Sequence, residues 1–499
     1  LEAIMSVAGS ILNPEVMALM CLGVVVGIIF GAIPGLNTPI AVALLLPFSF
    51  ALDTVPAVSL LIAVYMGGIS GGLVSAILLR IPGTAAAIAT TFDGYPMCQK
   101  GQAAEALAIG TFGSFIGGLF SAFALWLIAP SLTKMAIKFG PWEYFGITFL
   151  SLCLVSVLMG NNVVKGLISM LIGLLLSTVG MSSMDGVVKR FTFNFYQLEA
   201  GLSMVIVIIG IYAVPEILAT AGRLREDMTS ANFEKKIFYL PSKKNMLGYW
   251  PCILRSSVIG TFIGVLPGMG SSTGSMLSYA AAKKLSKHPE EFGQGTPEGV
   301  YATEVSNNAV TGGALIPMLS LGVPGDSVTA IIMAALVMQG ISVGPMLFTT
   351  NKGLIHTLIL AVFVANILMF VFQSFGIPIF ARIVQVPRYY LMPLIAMCCV
   401  IGCVSVNNRV FDVYVIIVLG ILGYALEKNH YPLPPLLLGF VLGSMVEQYY
   451  RRSLMYYGSF WGCMSQWSAG SFLVIAAVLI PVVSFMMKHM SLKKAGTGQ

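Results

Sequence analysis

Apolar runs long enough to cross a bilayer recur along the whole chain, and two of them break in the same way. Val16 to Ile33 runs into Pro34-Gly35, and after Leu36-Asn37-Thr38 a short apolar stretch resumes from Pro39 to Leu52. Far downstream, Pro251 to Ala282 is interrupted by Pro267-Gly268-Met269-Gly270, followed by Ser271, Ser272 and Thr273. Both lead-ins carry paired glycines, Gly27 and Gly31 in one and Gly260 and Gly264 in the other. Hydrocarbon offers no water to freed backbone groups, so a helix broken at membrane depth persists only where protein buries the break or the break lines a cavity. One Pro-Gly pair says little, because both residues are common in transmembrane helices. Matched breaks in two halves of a chain point to a site between them, the pattern of secondary transporters.

A second pair of breaks follows the first. Pro56 to Leu79 is rich in glycine and ends at Arg80-Ile81-Pro82-Gly83-Thr84. Pairing Ile69-Ser70-Gly71-Gly72 with Val310-Thr311-Gly312-Gly313 puts Val323-Pro324-Gly325 one residue later than Ile81-Pro82-Gly83. Further spans are read at Ala106–Ala129, Trp142–Met159, Val163–Met181, Leu202–Leu218, Ile331–Val343, Leu354–Phe375, Leu391–Val404, Val410–Leu426, Pro432–Val446 and Phe472–Met487. At roughly 20 residues per span, the expected class is an all-α polytopic membrane protein of about 10–12 transmembrane helices with re-entrant or broken hairpins. The Pro267 hairpin is flanked by Arg255 and Lys283, Lys284 and Lys287, whereas the Pro34 hairpin is flanked by Glu15 and Asp53. Since cytoplasmic loops favour Lys and Arg, the hairpins are expected on opposite faces, as two inverted-topology repeats. The expected division is a first transmembrane half at 1–222, a basic cytoplasmic linker at 223–250 and a second half at 251–499, its Lys488, Lys493 and Lys494 placing the C-terminus in the cytoplasm.

Composition supports the membrane reading: of 499 residues 57% are hydrophobic and 9% charged, against about 25% charged in soluble domains. The net charge of +7 comes from short loops between apolar runs, so it reports orientation and not nucleic-acid binding. The eight cysteines lie mostly inside apolar runs without metal-ligand spacing, so no cofactor or resident metal is expected beyond a sodium ion. The start Leu-Glu-Ala lacks a basic stretch or cleavage site, and no cleavable secretory signal is expected.

The candidate chemistry sits at the breaks. Helix N-termini present oriented N–H groups and partial positive charge. Asn37, Thr38, Gly83, Thr84, Gly270, Ser271, Ser272, Thr273, Gly325 and Ser327 follow the Pro-Gly turns and form the expected substrate shell, with Arg80 either neutralising an anion or snorkelling to the interface. The short polar residues serve equally as helix caps, and the two roles are compatible. Asp326 is the expected ion-coupling group, a sodium ligand or proton carrier, or else an N-cap; Asn307, Asn308 and Thr311 supply further oxygens. Glu304 ranks below them, in the same pathway or in a loop. The alternative from another class is an intramembrane aspartyl-type protease, on the weak ground of Gly325-Asp326; its second aspartate would have to be one such as Asp412. There is no His-Glu-x-x-His, no His near Ser271 and no P-loop, so no enzymatic activity is expected.

The strings Gly31-Ala-Ile-Pro-Gly-Leu-Asn-Thr38, Gly71-Gly72-x-x-Ser-Ala-Ile-Leu-Leu-Arg-Ile-Pro-Gly-Thr84, Phe92-Asp-Gly-Tyr-Pro-Met97, Leu266-Pro-Gly-Met-Gly270 and Leu321-Gly-Val-Pro-Gly-Asp326 resemble the large permease subunit of the tripartite tricarboxylate transporters, the TctA family. The resemblance covers nearly the whole chain. It implies a bacterial inner-membrane secondary transporter that works with a small membrane subunit and a periplasmic solute-binding protein. Such a system takes up a tricarboxylate such as citrate, or another carboxylate, by symport with sodium or protons.

Overall fold

The computed structural model describes residues 2–34, 36–158, 163–182, 188–221, 238–383 and 388–496. Gly35, Asn161-Asn162 and residues 223–237 of the expected linker lie outside the described residues. The class is as the hydropathy pattern predicts: the regular structure among the described residues is helical apart from a two-stranded antiparallel pair, β1 (Gly180–Met181) with β2 (Lys189–Arg190).

The first half opens with α1 (Glu2–Ile11) and α2 (Pro14–Ala32), which begins with Pro14 behind an Asn13 cap. Its last turn stops where Ile33 goes extended, and α3 (Thr38–Ser49) restarts at Asn37, whose side chain accepts the Ile40 N–H at 3.1 Å. Next, α4 (Thr54–Leu79) ends on Arg80 in left-handed backbone, φ 59°. A single 3₁₀ turn, Ala85–Ala87, precedes α5 (Thr91–Gln99) and the long α6 (Ala103–Ala136). Then come α7 (Pro141–Leu158), α8 (Val163–Ser177), α9 (Met204–Ile208), a π-helical turn at Ile209–Ala213 and α10 (Val214–Ala221). Pro215 has no N–H to give to the Ile211 carbonyl, the kind of defect a π turn absorbs.

After α11 (Lys243–Gly248), which falls in the expected linker, come α12 (Trp250–Val265), α13 (Gly270–Leu285), α14 (Pro297–Leu321) and α15 (Ser327–Met338). The second half continues with α16 (Leu347–Thr350), α17 (Lys352–Ile383), α18 (Arg388–Asn407), α19 (Phe411–Lys428), α20 (Leu433–Tyr457), α21 (Phe460–Met464) and α22 (Ala469–Gly496). Among the described residues, α2, α4, α6, α17 and α22 are long and apolar enough to cross a membrane, and several shorter apolar helices accompany them.

Glycines set the closest approaches and reveal how the halves correspond. A Cβ on Gly27 would meet the Val64 carbonyl and one on Gly31 the Gly68 carbonyl; on Gly260 and Gly264 it would meet the Ser306 and Val310 carbonyls. Gly83 abuts the Gly31 carbonyl as Gly325 abuts that of Gly264. These contacts pair Gly71 with Gly313, and the left-handed end of α4 at Arg80 with the left-handed end of α14 at Gly322, φ 73°. The one-residue offset read from the sequence is therefore a misalignment: it matched Gly-Gly to Gly-Gly, whereas Gly72 corresponds to Ala314. Both halves run the same length from glycine seam to second break. They also pack crosswise, α6 of the first half against α14 and α17 of the second against α4.

Candidate functional site

The four breaks meet around one cavity of about 200 Å³. Asn37, Thr38 and Pro39 reach it from the start of α3, Thr84, Ala85 and Ala86 from the 3₁₀ turn. Gly270, Ser271 and Ser272 come from the start of α13, and Asp326, Ser327 and Val328 from the start of α15. Ile69 of α4, Tyr212 on the π turn and Pro434 of α20 complete the wall. A single water needs about 10–15 Å³ of such space, so the cavity has room for a small organic solute.

The seating of each tip follows from small residues. Thr38 rests where a Cβ on Gly68 would be, and Thr84 where one on Gly72 would be. The two second-half breaks touch directly, the Gly268 N–H donating to the Gly325 carbonyl at 2.6 Å, with Gly268 at a φ of 79° that favours glycine. Asp326 closes a capping box on α15: Oδ1 accepts the Thr329 N–H at 2.8 Å while the Thr329 hydroxyl answers the Asp326 N–H at 2.9 Å. Its Oδ2 accepts the Tyr65 hydroxyl of α4 at 2.6 Å. The N-cap reading of Asp326 thus holds in the geometry, and the same carboxylate faces the cavity.

Among the described wall residues there is no Lys or Arg. Partial positive charge comes instead from the N-termini of α3, α13 and α15, those of α3 and α15 being capped by Asn37 and Asp326. Of these, α13 has no side-chain cap. The hydroxyls of Thr38, Thr84 and Ser271 are buried without a hydrogen-bond partner among the described residues. A buried hydroxyl left unmatched costs about 1–3 kcal/mol, and these three belong to residues on the wall of one cavity.

Other residues singled out in the sequence lie elsewhere. Arg80 is exposed, its guanidinium 5.8 Å from the centre of the Tyr95 ring, and does not line the cavity. Gly83 and Gly325 are packing positions behind the wall, and Thr273 is half-buried off it. Asn307, Asn308 and Thr311 are buried within α14, away from the wall. Asn307 bonds Glu304, Asn308 bonds the Glu304 carbonyl, and Thr311 bonds the Asn308 carbonyl and faces Met66. Glu304 is in a helix, not a loop. Sequence reasoning missed Tyr65, Tyr212 and Pro434; the one signal for Tyr212 was Pro215 inside an apolar run.

A profile of the Tripartite tricarboxylate transporter TctA family matches residues 17–438. The chain belongs to the TctA family. That match spans the whole cavity wall of this TctA protein, from Asn37 to Pro434. A relative from Agrobacterium vitis, named as an uncharacterized 52.8 kDa protein in the TAR-I ttuC' 3' region, is 37% identical over 445 residues, 89% of this chain and 88% of its own. A second from the same organism, in the TAR-II ttuC' 3' region, is 42% identical over 196 residues, 39% of this chain and 81% of its own. No solved structure matches. TctA proteins form a transporter family, and the apolar helices here make this one a multi-pass membrane protein.

Proposed function

We propose that this TctA chain is the large permease subunit of a binding-protein-dependent secondary transporter that imports a tricarboxylate such as citrate, or a related carboxylate, with sodium or protons. It would act in a bacterial inner membrane beside a small membrane subunit and a periplasmic solute-binding protein. The observation that carries the reading is the convergence of four broken-helix tips on one cavity walled by three helix N-termini and unmatched hydroxyls. Helix N-termini and hydroxyls suit a carboxylate in transit, because they replace its hydration without the deep trap of a buried Arg pair. Asp326 offers carboxylate oxygen to a coupling cation at the same place. The opposite flanking charges of the two hairpins and their matched glycine seams support inverted repeats that expose the cavity alternately.

The test is uptake of labelled citrate and a panel of other carboxylates into proteoliposomes holding this chain with its small subunit and binding protein, under sodium and proton gradients in turn. Gradient-dependent accumulation of one of them is the expected result. No accumulation from a folded complex overturns the reading.

A further inference from the structure

Outside the cavity, the interior of the described residues holds one acid for which the fold itself gives no reason. Glu304 lies two turns into α14 and is fully buried. Its Oε1 accepts the Thr90 hydroxyl at 2.5 Å, and its Oε2 accepts the Ser114 hydroxyl at 3.1 Å and the Asn307 amide at 3.2 Å. Thr90 and Ser114 belong to the first half, Glu304 and Asn307 to the second. By the glycine register, the twin of Glu304 is Ile62 and the twin of Thr90 is Ile332. These two also come together, in an apolar pocket with Val58, Leu336, Leu358 and Val362. One of two equivalent seams is therefore closed by hydrocarbon alone, so packing does not require a carboxyl in the other.

We propose that Glu304 is a proton-carrying site of this transporter, loading and releasing its proton as the seam between the halves opens and closes; this rests on the transport reading and assigns the proton to a place apart from the solute. The proton comes from water on one side, adds to a Glu304 carboxylate oxygen to give the neutral acid, and returns to water on the other side, leaving the carboxylate. No other bond forms or breaks. Hydroxyl partners suit the exchange, since each can donate to the carboxylate and accept from the acid. No cation neutralises Glu304 among the described residues, and an uncompensated charge sealed in protein costs several kcal/mol, so the closed seam is crossed as the neutral acid.

Charged groups on the elements around α14 are engaged elsewhere or exposed. Asp93 of α5 accepts the N–H groups of Gly293, Gly295 and Thr296 and the Tyr279 hydroxyl. Glu105 of α6 holds Ser242 and Asn245, Arg255 of α12 pairs with Glu298 of α14 at 3.9 Å, and Asp326 holds Tyr65 and Thr329. Lys134 of α6 and Lys283 and Lys284 of α13 are exposed, while α4, the 3₁₀ turn, α15 and α16 carry no charge. The link to transport is short: the segment that puts Thr84 on the cavity wall reaches Glu304 through Thr90.

Infrared difference spectra of the chain in liposomes, recorded between acid and alkaline pH, read the site without any solute. The expected result is a pH-dependent carboxylic-acid band present in wild type and in Asp326→Asn and lost in Glu304→Gln. Thr90→Val, which keeps the acid and removes a hydroxyl, should retain the band with a shifted midpoint. A Glu304→Gln spectrum identical to wild type, or an unmoved midpoint in Thr90→Val, overturns the proposal. In proteoliposomes with the partner subunits, Glu304→Gln should keep citrate exchange across the membrane while losing accumulation under a pH gradient at least about tenfold; unchanged accumulation overturns it. Wild type that moves no citrate counts against the carboxylate reading alone, and the infrared band still decides the proton site.

Discussion

The two broken-helix units share a backbone and differ in chemistry. Gly31 meets Gly68 as Gly264 meets Val310, and Gly83 and Gly325 touch the same carbonyls one repeat apart. Yet Thr84 stands where the second unit has Asp326, Ile62 where it has Glu304, and Arg80 where it has Gly322. What repeats is what the close packing of helices needs, namely positions where a Cβ would collide with a backbone carbonyl. What differs is polar: the second unit buries Glu304 and Asp326 where the first has Ile62 and Thr84, and the first buries Asp93 where the second has Ala335. A duplicated scaffold thus separates residues kept for packing from residues placed for a task.

Breaking the shared part should have the largest effect. A Cβ on Gly31 would lie 2.1 Å from the Gly68 carbonyl oxygen, and one on Gly264 2.5 Å from that of Val310. Neither helix can yield without disturbing its hydrogen bonds, so Gly31→Ala should cost about 3 kcal/mol or more and Gly264→Ala somewhat less. Unfolding in detergent checks the order, and equal stability of both variants with wild type would refute the packing account.

The polar difference comes next. Asp326→Asn removes the charged acceptor of Thr329 and Tyr65 and should cost roughly 2 kcal/mol, with uptake reduced more than about tenfold. Its twin change, Thr84→Ala, removes a hydroxyl without a partner; stability should hold or rise while uptake falls about fivefold, the worth of one hydrogen bond to solute. Ser271→Ala should behave like Thr84→Ala, with melting held or raised and uptake weakened. A loss of stability equal to the loss of uptake would instead make these hydroxyls structural. Smallest of all is Arg80→Gly, which gives the first unit the helix end of the second. Relief of left-handed backbone should stabilise by about 1 kcal/mol, with uptake within about twofold of wild type; a larger fall would restore Arg80 to the solute path.

Much of this was legible in the chain. Pro-Gly pairs after apolar runs marked the hairpins at Pro34 and Pro267, and the polar residues behind them marked Asn37, Thr38, Ser271 and Ser272, as Pro324-Gly325 marked Asp326; all of these reach the cavity wall. α14 was not legible, because it is enclosed by protein and not lipid. It can therefore carry Glu304, Asn307, Asn308 and Thr311 on a helix whose mean hydropathy falls below that of a span. The register of the repeats was hidden for a related reason: identical Gly-Gly letters align more readily than the carbonyls they face. Tyr65 sits mid-helix with nothing local to mark it, and its meeting with Asp326 is set by the fold of two distant segments.

The most direct test of the cavity is protection of a cysteine placed on its wall. In a chain stripped of its own cysteines, Ser272→Cys, half-buried at the start of α13, is labelled with a small thiol reagent in the presence and absence of a carboxylate that the liposomes take up. The carboxylate should slow labelling at position 272 and leave Arg80→Cys, outside the cavity, unaffected. Labelling at 272 that ignores every transported carboxylate would place the solute elsewhere.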